Sequence, residues 1–149
     1  MTTMPDERRK TFLAEPRVGV VAVEWENRAP LNVPVWYRYD VDGDVSVWTY
    51  ADSVKLRLMR AAGRFSLSSQ SQDLPYRYVT VEGPVTSVEP ATQEWVHQLA
   101  VHYLGPTRGA HYAANDFKPE SVIVRMRPQR WFSGEFLTDD VYISPGAGS

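Results

Sequence analysis

The sequence predicts a mainly β domain, a closed or partly closed small barrel of about six antiparallel strands with a few short helices. Three observations carry that reading. Runs such as "RVGVVAVEW", "DVSVWTY" and "YRYVTVEGPVTSV" are dense in β-branched and aromatic residues. The Asp42-Gly43 pair between two such runs is a strong hairpin signal. Too few helical segments separate the runs for a doubly wound parallel sheet, whose strands need crossover connections. The chain of 149 residues suits a single domain over residues 1–149, with one core that needs no covalent staples.

Taken in order, "DERRKTFLAEP" reads as a short amphipathic helix that turns Phe12 and Leu13 inward and is closed by Pro16. "RVGVVAVEW" reads as a buried strand, "ENRAP" as a turn, and "LNVPVWYRYD" as the next strand, with Pro34 arguing for an edge or a bulge. In "DVSVWTY", Val45, Val47 and Thr49 share one face and Ser46, Trp48 and Tyr50 the other. A helix follows, capped by Asp52 or Ser53 and ended by Gly63, with Val54, Leu58 and Ala61 toward the sheet. "RFSLSSQS" resumes strand alternation, "QDLP" is a loop, and Gly83-Pro84 bends the long run that begins at Tyr76. A second helix spans Thr92 to Leu104, with Trp95, Leu99 and Tyr103 at helical spacing and Gly105-Pro106 as its stop. "TRGAHYAAND" reads as a further short helix, "SVIVRMRPQRWF" as one final long strand, "EFLTDDVYI" as a short one and "SPGAGS" as a loose tail.

Composition narrows the function. With 43% hydrophobic and 12% aromatic residues the chain is globular in character. A formal net charge of −2 sets a general nucleic-acid binder behind other readings. The absence of cysteine removes disulfides, thiolate metal sites and cysteine nucleophiles. The opening stretch is charged and no segment approaches transmembrane length, so no membrane association and a cytoplasmic location are expected. Lysine occurs only at Lys10, Lys55 and Lys118, a bias toward arginine that points to a GC-rich genome. His97 and His102 are five apart, the wrong spacing for a helical metal face, and no metal site is expected. No carboxylate pair, nucleophile elbow or phosphate-binding glycine loop marks a catalytic residue.

The run Ser53-Val54-Lys55-Leu56-Arg57 opens the first predicted barrel helix. Helix N-termini present free N–H groups and partial positive charge, so a hydroxyl and basic side chains there could hold an anion. Ser53 and Arg57 share a helix face, whereas Lys55 and Arg57 do not. Spacing alone favours a capped helix with solvated basic residues. The aromatics Trp36, Tyr37, Tyr39, Trp48 and Tyr50 crowd two neighbouring strands and alternate between faces. Several of them are expected to point out of the barrel into a dimer interface.

Together, "VPVWYRYD", "VWTYADSVKLRLMRAAGRFSL" and "YRYVTVEGPVTSV" resemble the split β-barrel flavin and deazaflavin oxidoreductases, the superfamily related to pyridoxamine 5′-phosphate oxidase. The resemblance runs in order from residue 10 to residue 131. Thr49, Ser53 and Lys55 match its T-x-x-x-S-x-K cofactor-phosphate motif. It implies an FMN-binding split barrel that forms a homodimer with cofactors in two clefts between subunits. Ser53 and Lys55 would hold a cofactor phosphate, assisted by Arg57. The backbone of Val33, Pro34, Val35, Trp36 and Tyr37, and that of Val47 to Thr49, would lie along the tricyclic ring. Tyr76 and Arg77 would close the cleft, and Arg130 and Trp131 would reach the ligand.

The chain departs from true pyridoxamine phosphate oxidases, because its end lacks their basic C-terminal substrate motif. The short "DSVKLRL" form is more similar to the actinobacterial branch that uses coenzyme F-420. The resulting expectation is an F-420-dependent oxidoreductase that delivers hydride to a small conjugated molecule. The alternatives are an FMN-dependent oxidoreductase on the same scaffold and a flavin- or deazaflavin-binding protein without turnover.

Overall fold

The computed structural model describes residues 1–136. Its elements are α1 (Asp6–Ala14), β1 (Gly19–Trp25), β2 (Arg28–Val35), β3 (Tyr37–Tyr39), β4 (Val45–Tyr50), α2 (Val54–Ala62), β5 (Arg64–Gln70), β6 (Arg77–Pro90), α3 (Gln93–Leu104), α4 (Pro106–Asp116), β7 (Ser121–Met126) and β8 (Arg130–Glu135). The described residues thus hold eight strands where about six were expected from pattern. Both additions come from a predicted strand that breaks. Trp36 divides "LNVPVWYRYD" into β2 and β3, and the segment around Pro128 divides "SVIVRMRPQRWF" into β7 and β8. Proline has no N–H to give to a ladder, so the second break falls where the sequence contains one. Glu135 ends β8, while the rest of the expected short strand after Phe136 and the "SPGAGS" tail lie outside the described residues.

Every strand pairing is antiparallel, in the order β2-β1-β5-β6-β7-β4-β3, with β8 also on β6. The sheet wraps around one core as a split barrel of two halves that share β6. Tyr78–Pro84 of β6 pair with β5 and Arg77–Glu82 pair with β8, while its second part from Val85 pairs with β7. β2 is an edge strand, which tolerates Pro30 and Pro34. The "ENRAP" segment is shorter as a turn than its composition suggests. Only Glu26 and Asn27 turn, Asn27 taking a left-handed φ of 63°, and Arg28 to Pro30 already belong to β2. β1 is likewise buried on one face only, with Val21 and Val23 inside and Val20 and Glu24 outside.

Val21, Val45, Val47, Leu67, Val79, Val81, Val124 and Met126 fill the barrel. α1 plugs it with Phe12 and Leu13, and Arg8 fastens α1 to buried Glu135 by a paired contact of 3.0 and 2.6 Å. α2 buries Leu56, Leu58 and Met59, so the predicted inward face of Val54, Leu58 and Ala61 is rotated. The larger apolar side chains take the core and leave Val54 and Ala61 exposed. α3 is capped by Thr92 and buries Val96, Leu99 and Ala100. Gly105 ends it as expected, but Pro106 opens α4, where its missing N–H removes nothing from the helix. No helix among the described residues is long and apolar enough to cross a membrane.

The bend of β6 depends on Gly83. A Cβ there would stand inside the van der Waals radius of the Arg127 carbonyl oxygen, a backbone atom that cannot move aside. Gly83→Ala is therefore expected to cost at least about 3 kcal/mol in urea unfolding. Gly63→Ala faces open space at a left-handed φ of 71°. It should cost only about 1–2 kcal/mol.

Candidate functional site

The start of α2 is built from the end of β4. The Ser53 N–H donates to the Tyr50 carbonyl at 3.1 Å, which closes a tight turn over Ala51 and Asp52. Ser53 Oγ then accepts from the Leu56 N–H at 3.1 Å as the helix cap and lies 3.0 Å from Thr49 Oγ1. Of the two residues that could cap this helix, Ser53 does so. By helix geometry the N–H groups of Val54 and Lys55 have no partner within the helix, and they face the same end as the two hydroxyls.

A cleft of about 560 Å³ runs along this helix start, lined by Asp52, Ser53, Val54, Arg57, Arg60 and Ala61 among others. Ser53 and Arg57 line it together, as their spacing implies. Lys55 is not part of that lining, as expected for a residue two positions from Arg57. Lys55 is half-buried, and burial pushes its ammonium below the ordinary lysine range. Among the described residues, none of Lys55, Arg57 and Arg60 has a carboxylate within ion-pairing distance. Lys55 and Arg57 in the first turns of the helix add positive charge at an N-terminus that suits an anion, and Arg60 lines the same cleft from the last turn. Arg60 was missed by the motif, although its i+3 spacing from Arg57 places it on the same face.

The segments expected along a ring meet at a gap in the sheet. β3 pairs only with Val45 to Val47, so Trp48, Thr49 and Tyr50 have β7 on one side and, among the described residues, no strand on the other. Val33, Pro34 and Val35 lie at the end of edge strand β2, immediately before that gap. Trp36 occupies the break itself. Its indole stacks on Tyr103 at a centroid distance of 4.8 Å and 4° between planes, and it leans on Tyr112 at 5.1 Å.

The other expected residues stand apart from the α2 cleft. Tyr76 is exposed and lines a separate groove with Gln70, Tyr78 and Phe136. The Arg77 guanidinium lies over the Phe12 ring, and the Arg77 backbone is pinned by Ser71. Trp131 packs against the core, edge-on to Tyr39 at 5.8 Å with Arg9 above it, and Arg130 is exposed opposite Glu82. Within one chain these positions do not join Ser53 and Arg57. The aromatic surface also differs from expectation. Trp36 and Trp48 are covered by the chain's own α3–α4 hairpin through Tyr103 and Tyr112, which leaves Tyr50 as the exposed member of the three. That cover was not legible, because Tyr103 and Tyr112 sit on two helices whose convergence is tertiary. Among the described residues no three His, Asp or Glu side chains converge as a metal site.

Comparison with known proteins gives a consistent picture. The family described as pyridoxamine 5′-phosphate oxidase matches residues 5–132. No curated protein matches the sequence. Among solved structures, an F420 reductase is similar at 22% identity with a TM-score of 0.67, over 83% of this chain and 94% of that one. A conserved hypothetical protein from Mycobacterium tuberculosis is similar at 24% identity with a TM-score of 0.70, over 89% of this chain and 85% of that one. A FAD-binding protein from Mesorhizobium loti is similar at 20% identity with a TM-score of 0.64, over 91% of this chain and 98% of that one. At these identities the likenesses establish the fold.

Ser53 serves the helix as its cap, and that role is separable from any ligand. Ser53→Ala is expected to lower stability by about 1 kcal/mol, and Ser53→Gly by only a few tenths. Urea titration monitored by circular dichroism checks both, and equal losses for the two variants would count against the cap.

Proposed function

Because the chain belongs to the pyridoxamine 5′-phosphate oxidase family, we propose that it is a split-barrel oxidoreductase that binds coenzyme F-420 and acts on a small conjugated molecule. The observation that carries this reading is the pairing of Thr49 and Ser53 at the start of α2, with Arg57 lining the same cleft as Ser53 and Arg60 lining it farther along the helix. The paired hydroxyls, the free first-turn N–H groups and the guanidinium groups form a donor set suited to a phosphate. Lys55 would add its charge from the other side of the first turn. The Val33–Trp36 backbone and the open edge of Trp48 to Tyr50 would receive the ring, and the packed aromatic cover beside them would keep water from it. The bound cofactor supplies the hydride transfer. Nothing at the α2 cleft singles out a proton donor, and solvent would serve.

FMN is the second candidate. The donor set at α2 recognises a phosphate and does not distinguish the two rings. The resemblance of "DSVKLRL" to the deazaflavin branch favours F-420. A carrier without turnover would share the same cleft. Titration with each cofactor, followed by turnover with candidate acceptors, separates the three. FMN binding more tightly than F-420 would overturn the cofactor assignment. The protein would work in the cytoplasm.

The same reading includes a homodimer. The outer face of the first barrel half carries the cross-strand row Pro34, Val20, Ser68, Thr80 and Phe132. Val20 is 39% and Phe132 52% exposed, and the residues between them are small. A second copy covering that row would bring a further chain beside the end of β2. Sedimentation at micromolar concentration should show a dimer, and a monomer there would speak against the assembly.

Lys55→Ala removes a charge-assisted contact and should raise the cofactor dissociation constant about ten- to a hundred-fold. Arg57→Ala should act in the same direction, while Lys118→Ala, exposed and outside the cleft, should leave affinity intact. Added salt should weaken the wild type more than either charge-deleted variant. Calorimetry checks all of these. Unchanged binding in Lys55→Ala and Arg57→Ala would reduce the run to a solvated helix start.

A further inference from the structure

The break between β2 and β3 leaves backbone groups that no strand takes up. β3 is an edge strand, so the outward N–H and C=O of Tyr37 have no ladder partner. One hydroxyl from a distant helix fills both places. The Tyr37 N–H donates to Tyr103 Oη at 3.1 Å, and Tyr103 Oη lies 3.0 Å from the Tyr37 carbonyl oxygen. It also lies 2.8 Å from the Arg17 carbonyl oxygen, just before β1. The single phenol proton is thus shared between two carbonyls, and three segments meet on one oxygen. The ring of the same residue stacks on Trp36. Burial holds the Tyr103 phenol well above the ordinary tyrosine range, so the hydroxyl keeps its proton throughout the physiological range.

We infer that Tyr103 is a positioning residue for the ligand ring: it fixes the course of the chain from Val33 to Tyr37 without touching the ligand. This rests on the proposed cofactor site, since that segment is the one assigned to the ring. The Tyr37 N–H and C=O are already engaged, so the backbone contacts to a ring fall to the residues before it. The hydroxyl acts by holding those residues in place before the ligand arrives, which lowers the ordering cost of binding. The aromatic stack would then set the tilt of the segment, and the hydroxyl its register.

The test uses Tyr103→Phe, which keeps the stack and removes the hydroxyl, with Tyr78→Phe, on β6 away from the gap, as control. Hydrogen exchange of the ligand-free protein should show the Tyr37 amide opening about tenfold faster in Tyr103→Phe, with the core strands still protected. Cofactor titration should show about a tenfold loss of affinity and a shift in the visible absorption of the bound ring, as expected from lost preorganisation. Tyr78→Phe should change neither, and Lys55→Ala should lower affinity while leaving the bound spectrum and Tyr37 exchange as in the wild type. If the wild type binds neither F-420 nor FMN, the cofactor reading fails and this inference fails with it. If the wild type binds and Tyr103→Phe binds with the same affinity and spectrum, only the positioning role is overturned. Unchanged Tyr37 exchange in Tyr103→Phe would overturn it as well.

Discussion

The architecture depends on the close approach of two backbones at Gly83. β6 is fourteen residues long and belongs to both halves of the barrel, so it must bend where it leaves β5 and β8 for β7. Around the bend the chain secures itself with main-chain hydrogen bonds. The Gln129 N–H donates to the Glu82 carbonyl at 2.9 Å and the Arg127 N–H to the Pro84 carbonyl at 3.0 Å. A side chain at position 83 would separate these two segments and remove both bonds. The register shift between Val85 and Ser87 completes the change of direction.

The α2 site follows from that bend. β4 lies in the half formed with β7 and β3, while β5 lies in the half formed with β1 and β6. The connection between them therefore crosses from one half to the other, and α2 is that crossing. Its first turn is anchored to the end of β4 through Thr49 and Tyr50. Its far end is anchored to β6, where the Gly63 carbonyl accepts from the Val85 N–H at 2.9 Å. A nine-residue helix held at both ends is a rigid support. Its N-terminal groups keep a fixed position relative to the gap beside Trp48 to Tyr50. Anion-binding groups set on regular elements lose less entropy on binding than the same groups on a loop.

Much of this was legible from residues whose roles are local. Ser53 as cap, Gly63 as helix end, Asp42-Gly43 as a turn and the alternation of β4 each depend on a few neighbours in sequence. The readings that changed depend on competition between distant groups. The inward face of α2 was set by which side chains bury more apolar surface, and helical spacing of Val54, Leu58 and Ala61 does not weigh Leu56 and Met59 against them. In "SVIVRMRPQRWF" Pro128 marks where a break can fall, but that the chain there leaves β7 for a strand paired with the first part of β6 is a tertiary outcome. Within the site, Thr49, Ser53 and Arg57 came together because they lie within nine positions of one another. Tyr103, sixty-six positions from Tyr37, carries no sequence mark of its contact.

The aromatic residues find much of their cover within the chain itself. Aromatics on both faces of β3 and β4 do require a cover, since exposed indoles are unfavourable in water. The cover is internal. α3 and α4 fold back over Trp36 and Trp48, with Ile123, Trp95 and Phe117 completing a second small core. Trp36 and Trp48 stay half-buried beneath these helices, and Tyr50 remains exposed at the border of that face. Among the described residues, Val20 and Phe132 on the outer face of the first half are exposed with small residues between them, and in the proposed homodimer the second copy would dock there. Pro34 lies in that open row and, one residue before the end of β2, also borders the gap that would receive a ring. One short edge segment would then meet both the ligand and the second subunit. Any change in how it is held would alter binding and assembly together.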